Sequence, residues 1–220
     1  MERWATFDCY GTLIDWNGGV RAELEHLWPY ADGDALLARY HRIEPEIQAA
    51  QPGLSYHEVL AQTLERIAHD AELPLEPADR GALGASLPSW RAFPEVAAAL
   101  EEARARGWKL AVLSNTDRDF LEASKHTIGV PFELDIVAGE IGSYKPAHAH
   151  WERFFAESGA PRGGHAHVAA SLFHDIGPAN ELGLRSIWIN RLEERPGPQP
   201  TRELTDLSGL PDTLDELVPA

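Results

Sequence analysis

Apolar positions follow two different rhythms along this chain. The first stretch, Arg3-Trp4-Ala5-Thr6-Phe7, is a short apolar run rich in strand formers, and it stops at Asp8, where a turn through Gly11 and Thr12 follows. From Val20 to about Leu87 the apolar residues instead recur at helical spacing. They include Leu24, Leu27 and Trp28, then Leu36, Leu37, Tyr40 and Ile43, then Val59, Leu60, Leu64 and Ile67. Pro29, Pro45, Pro52-Gly53 and Pro74 punctuate these segments, and no strand-like alternation interrupts them. Beyond residue 88 helices and apolar strands alternate. Helices are predicted over 94–106, 119–125, 148–158 and 177–182, and strands over 109–115, 132–138, 165–172 and 185–190. A short strand and a helix near Leu214–Val218 close the chain, and Pro196–Pro200 is the one linker-like stretch. Such alternation implies a parallel sheet with right-handed crossovers. The predicted fold class is α/β: a parallel sheet flanked by helices, built from 1–14 and 89–220, with an inserted all-helical cap over 15–88. An insertion directly after the first strand can sit over that strand's end, exclude water and shape a pocket.

Composition narrows the partners. The chain has 220 residues, 44% of them apolar, and a net charge of −16 spread along its length. That argues against nucleic acid and against an anionic membrane surface. An anionic substrate would need local cations to overcome this field. The single cysteine, Cys9, excludes an intramolecular disulfide and fits a reducing, cytoplasmic location. Neither a signal peptide nor a membrane span is expected from the N-terminal pattern.

Four strand ends carry the candidate chemistry: Asp8, then Ser114-Asn115-Thr116, then Tyr144-Lys145-Pro146, then His174-Asp175. In a parallel sheet they share one edge, where open α/β sheets bind ligands. They offer a carboxylate nucleophile, hydroxyl and amide donors, an ammonium and a second carboxylate. An ammonium beside Asp8 would keep it ionised. The pairs His148/His150 and His165/His167 suggest zinc only weakly, because no third ligand accompanies them.

Together these residues resemble the haloacid dehalogenase superfamily. The resemblance covers nearly the whole chain and rests on Asp8-x-Tyr10-Gly11-Thr12-Leu13-Ile14-Asp15, Leu113-Ser114-Asn115, Tyr144-Lys145-Pro146 and Ser171-x-x-x-Asp175. It implies a Rossmann-like core. Phosphatase members carry a second Asp where this chain has Tyr10, and a magnesium-holding acid where it has Ser171. The pattern is therefore similar to the metal-independent 2-haloacid dehalogenases, and Trp188-Ile189-Asn190-Arg191 also looks like theirs. The resemblance implies no cofactor, no metal and a homodimer.

The implied mechanism has Asp8 attack the α-carbon of a small carboxylate and displace halide. Water then hydrolyses the resulting ester. Lys145 would balance the charge of Asp8, and Asp175 would orient Lys145 or the water. Thr12, Ser114 and Asn115 would bind the substrate carboxylate. Tyr10, Trp16, Ser171 and His174 are expected in the pocket, with Trp151 at a position where dehalogenases have a tyrosine and Arg39 aligned with their halide-side cap arginine. Leu172 replaces a dehalogenase asparagine. Two segments, Leu13–Trp16 and Ser171–Asp175, resemble instead an L-azetidine-2-carboxylate hydrolase. The alternatives are thus hydrolysis of another small carboxylate, a magnesium-dependent phosphatase, or a non-catalytic binding protein of the same fold.

Overall fold

A computed structural model describes residues 2–195 and 197–219. Pro196, at the start of the linker-like stretch, lies outside them. Six strands form one wholly parallel sheet in the order β3-β2-β1-β4-β5-β6. They are β1 (Arg3–Phe7), β2 (Trp108–Ser114), β3 (Leu134–Val137), β4 (His165–Ala169), β5 (Arg185–Ile189) and β6 (Arg202–Leu204). The first strand is central, and all five of its residues are buried. This explains its unbroken apolar run: a parallel strand covered on both faces shows no alternation. The chain winds outward from β1 in both directions, so the strand order reverses between β1 and β4. Ligands bind at such a switch point, beyond the strands' carboxyl ends.

The helices α5 (Val96–Ala105), α6 (Arg118–Ile128), α7 (Ala138–Ile141), α8 (Ala149–Ser158), α9 (Gly177–Glu181) and α10 (Leu210–Leu217) flank the sheet. Between β1 and α5 lies the helical block: α1 (Trp16–Leu27), α2 (Gly33–Ala50), α3 (Tyr56–Asp70) and the short α4 (Ala82–Ser86). Asp15, Asp32 and Ser55 cap the first three through side-chain oxygens, as acceptors for otherwise orphaned N–H groups. The chain leaves and re-enters the sheet side by side. Asp15 N donates to the Arg91 carbonyl at 2.8 Å and Phe93 N to the Leu13 carbonyl at 3.0 Å.

Two expectations need correction. Pro45 does not end a segment: α2 runs through it unbroken. The missing Pro45 N–H frees one carbonyl, that of His41, and apolar packing by Tyr40, Ile43 and Ile47 outweighs that loss. The fourth strand ends at Ala169, three residues early, because Ser171 caps one turn of π-helix over Leu172–Ile176. π-turns cluster at functional sites, and this one carries Asp175. One apolar core joins Phe7, Val112 and Val168 of the sheet to Leu24, Tyr40 and Leu60 of the helical block. A second lies against the opposite sheet face around Trp4, Leu113, Trp151 and Phe154.

Candidate functional site

A cavity of about 520 Å³ opens above the carboxyl ends of the central strands. Its floor is Asp8, Ser114, Lys145 and Asp175, and its roof comes from Trp16 and Asn17 of α1 and from α2. Lys145 Nζ sits between the two acids. It donates to Asp8 Oδ1 at 2.9 Å, to Asp175 Oδ1 at 2.7 Å and to the Leu113 carbonyl at 2.9 Å. All three side chains are buried. Burial alone would drive the Asp175 carboxyl up, but Lys145 and His167 outweigh it and hold it well below the usual carboxylate range. Burial likewise raises the Asp8 carboxyl, against the pull of Lys145 and with the push of Asp175, and here the net direction is upward. The ammonium is disfavoured by burial and favoured by both acids, which prevail. Two buried carboxylates of opposite drift around one cation form the pattern expected where acid, base and nucleophile roles are divided.

Thr12 does not reach the substrate space. Its hydroxyl donates to Asp8 Oδ2 at 2.9 Å and accepts from Ala170 N at 2.9 Å. Its single proton is spent on Asp8, so it orients that carboxylate and has no proton left for a ligand. Asn115 borders the cavity but is also committed. Its amide donates to the Lys145 carbonyl at 3.0 Å and to Gln48 Oε1 at 3.2 Å, and its oxygen accepts from Lys145 N at 2.7 Å. It clamps the lysine loop and ties it to α2. Ser114 Oγ is different: it is buried, faces the cavity and has no hydrogen-bond partner. Trp16 Nε1, Asn17 Oδ1 and Asp175 Oδ2 are likewise buried and unpartnered at the cavity. Buried polar atoms without partners are costly, and a site waiting for a ligand is one reason they persist.

Tyr10, Ser171 and His174 line the cavity. The Tyr10 hydroxyl lies 3.0 Å from Ser124 Oγ, and Ser171 Oγ lies 3.1 Å from His174 Nδ1. Burial lowers His174 to about 4, so its ring is neutral near pH 7. Two expected residues are elsewhere. Arg39 does not line the cavity. The inward face of α2 carries His41, Glu44, Pro45 and Gln48, and a residue two positions before His41 points about 200° away. Arg42 is turned to Asp70, 3.9 Å away. Trp151 is fully buried in the second core, where it meets the His167 ring edge-on at 5.1 Å. The inner face of α8 packs on the sheet and keeps Trp151 below the cavity.

Neither histidine pair forms a metal site. His148 pairs with Glu181 at the surface, and His150 Nε2 donates to the Ser114 carbonyl at 3.1 Å. A divalent cation, which a phosphatase of this fold type needs, does not suit the donors. Both facing carboxylate oxygens already accept from Lys145, and Tyr10 and Ser171 supply no acid. Among the described residues no group of three or more His, Cys, Asp or Glu converges. Cys9 is fully buried and its thiol pushed up by burial.

Sequence reasoning missed four features. Glu44 and Gln48 face the cavity from α2, hydrogen-bonded to each other. Burial raises the Glu44 carboxyl to about 7. Arg191 lines the mouth, bound to Glu95 at 2.6 Å and to the Thr12 carbonyl at 2.9 Å. His167 contacts Asp175 from behind at 2.9 Å. The i, i+4 spacing of Glu44 and Gln48 on an apolar helix face was the available signal for the first two.

Comparison with known proteins agrees with this architecture. The family model described as haloacid dehalogenase-like hydrolase matches residues 3–170. Haloacetate dehalogenase H-2 of Moraxella sp. (strain B) is 28% identical over 190 residues, covering 84% of each chain. A phosphoserine phosphatase of Thermus thermophilus is 29% identical over 178 residues, covering 79% of this chain and 71% of its own. The crystal structure of an L-2-haloacid dehalogenase superposes with a TM-score of 0.88 at 25% identity, covering 97% of this chain and 98% of the other. With β1, which leads into Asp8, at the centre of a parallel sheet and its matched segment spanning both the helical block and four of the six strands, the chain belongs to the haloacid dehalogenase-like hydrolases.

Proposed function

We propose that this hydrolase displaces the leaving group from carbon 2 of a small carboxylic acid, a 2-haloacid above all, through an ester on Asp8. The observation that carries the reading is the Lys145 ammonium held between Asp8 and Asp175 on the cavity floor. An Asp8 oxygen attacks the substrate α-carbon and halide departs with the bonding pair. Lys145 and Thr12 keep the attacking carboxylate ionised and aimed. Ser114 Oγ and Trp16 Nε1, both unpartnered, are the donors for the substrate carboxylate. Water then attacks the Asp8 carbonyl carbon and gives a proton to Asp175. The carbonyl–alkoxide bond breaks, and the 2-hydroxyacid leaves with that proton and an oxygen that began on Asp8, while Asp8 keeps the water oxygen and releases the second water proton to solvent. The helical block over 15–88 acts as the cap that excludes bulk water. A reducing cytoplasm suits the lone buried thiol, and a homodimer is part of the same reading.

The test is a single turnover in ¹⁸O-water, with enzyme in excess over 2-chloropropanoate, followed by mass analysis of the Asp8 peptide. Label in that peptide is the expected result. Label in the hydroxyacid alone would refute the ester. A parallel assay with phosphoserine, with and without Mg²⁺, tests the phosphatase alternative that one relative's name suggests.

A further inference from the structure

Behind the cavity floor runs a fully buried chain of polar side chains that ends on Asp175, and the proposed reaction uses none of them but that acid. β4 alternates His165 and His167 on one face, and Thr6 of β1 pairs in register with His167. His165 Nε2 lies 2.9 Å from Thr6 Oγ1, Thr6 Oγ1 lies 2.8 Å from His167 Nδ1, and His167 Nε2 lies 2.9 Å from Asp175 Oδ1. All four side chains are 0% exposed.

An ionised carboxylate only accepts, so His167 Nε2–H donates to Asp175. The other ring nitrogen of His167 meets the Thr6 hydroxyl, and that hydroxyl meets His165 Nε2 in turn. His165 Nδ1, at the far end, has no partner. Each group polarises the next toward Asp175. Trp151 packs edge-on against the His167 ring and fixes its plane.

The consequence falls on the two oxygens of Asp175. Oδ1 accepts from both Lys145 Nζ and His167 Nε2. Oδ2 is buried, borders the cavity through its residue, and has no partner. We propose that His167, set by Thr6 and His165, is a positioning residue for hydrolysis: it occupies Asp175 Oδ1 and so leaves Oδ2 as the one oxygen that takes a proton from water. The assignment rests on the Asp8 ester of the proposed function, because the proton transfer it governs belongs to the second half-reaction. Attack by Asp8 on the α-carbon does not need it.

The structure therefore separates the two halves. His167→Leu removes the donor and keeps an apolar side chain in the packed site. Expected are halide release that remains fast for one enzyme equivalent, then steady turnover slowed about tenfold to hundredfold. Intact-mass analysis of quenched enzyme should show the acyl group accumulating on Asp8, and the acid limb of kcat should move to higher pH. His167→Gln, whose amide can reach where Nε2 stood, should recover most of the hydrolysis rate. Thr6→Val, nearly isosteric, should shift the same quantities in the same direction by less, and it carries the test if the leucine variant fails to fold. Equal slowing of burst and steady phases, or an ester lifetime that does not depend on residue 167, would overturn the proposal. An acyl group never found on Asp8, in wild type or in either variant, would instead sink the ester reading on which it stands.

Discussion

At the scale of single residues the site is a problem of one cation and two acids in a dry place. Lys145 is 2% exposed, and its single charge is shared between two buried carboxylates. Replacing it by Ala leaves both without a cation, and breaking a buried pair this way costs about 3–5 kcal/mol. Urea unfolding of Lys145→Ala should show a loss of that size. The loss should be larger at pH 8 than at pH 5, because one carboxyl must hold a proton to remain buried. Glu44 gives a second pH signature. Its folded value of about 7 stands above its ordinary 4.5. The unfolded chain therefore releases this proton first, and folding stability falls as pH rises from about 4.5 to 7. At about 1.4 kcal/mol per unit the full penalty is about 3 kcal/mol. Glu44→Gln keeps the shape of the protonated acid. It should gain most of that stability over wild type at pH 8 and little of it at pH 5, read by thermal or urea unfolding at both. The ionised form also faces the cavity, so KM for an anionic substrate should rise through pH 7 in wild type and stay flatter in the variant.

At the scale of elements, what the sequence revealed depended on whether a residue's direction follows from its element. The carboxyl ends of parallel strands share one edge, so Asp8, Ser114 and the loops that carry Lys145 and Asp175 were legible together before any coordinates. Helix faces do not announce which side meets the cavity. The apolar stripe of α2 was readable, but whether Arg39 or the His41–Glu44–Gln48 face looked down on Asp8 depended on the rotation of α2 over the sheet. Thr12 and Asn115 were placed at the site and given the wrong partners, because hydrogen bonds between distant loops cannot be read from spacing. The β4 histidines suggested only a weak metal pair in the sequence. Their alternation did put both on one face, yet nothing in the chain said that Asp175 would lie under that face. The turn after β1 makes a sharper claim. Gly11 has φ +90°, and a Cβ there would meet nothing nearer than Ala170 Cβ at 3.9 Å. Space is available, so the cost of Gly11→Ala is conformational, about 1–2 kcal/mol. Because this turn carries Thr12 to Asp8, the variant should lose turnover as well as stability. Purified Gly11→Ala should show reduced kcat at a temperature where circular dichroism still reports a folded chain.

At the scale of the whole molecule the electrostatics oppose the proposed substrate. The chain carries −16, while the cations at the cavity are committed: Lys145 to two acids and Arg191 to Glu95. A carboxylate approaching from solvent meets a repulsive field and finds attraction only at short range, from uncharged donors such as Ser114 Oγ. Enzymes steered toward anions by cationic funnels lose rate as salt is added. This one should behave in the opposite sense. The Debye length shrinks from about 30 Å at 0.01 M to about 8 Å at 0.15 M ionic strength. That screens the distant acids and leaves the buried floor almost untouched. For 2-chloropropanoate, kcat/KM should rise about threefold over that range while kcat stays level, since the long-range field acts on encounter and not on the bound complex. Sodium sulfate at matched ionic strength is the appropriate salt, because added chloride would compete as product. A neutral substrate analogue, 2-chloropropanamide, should show no such rise if it turns over at all. A fall in kcat/KM with salt would mean that the cavity mouth attracts anions despite the charge around it. The cation to suspect first would then be Arg191, released from Glu95 to meet the substrate.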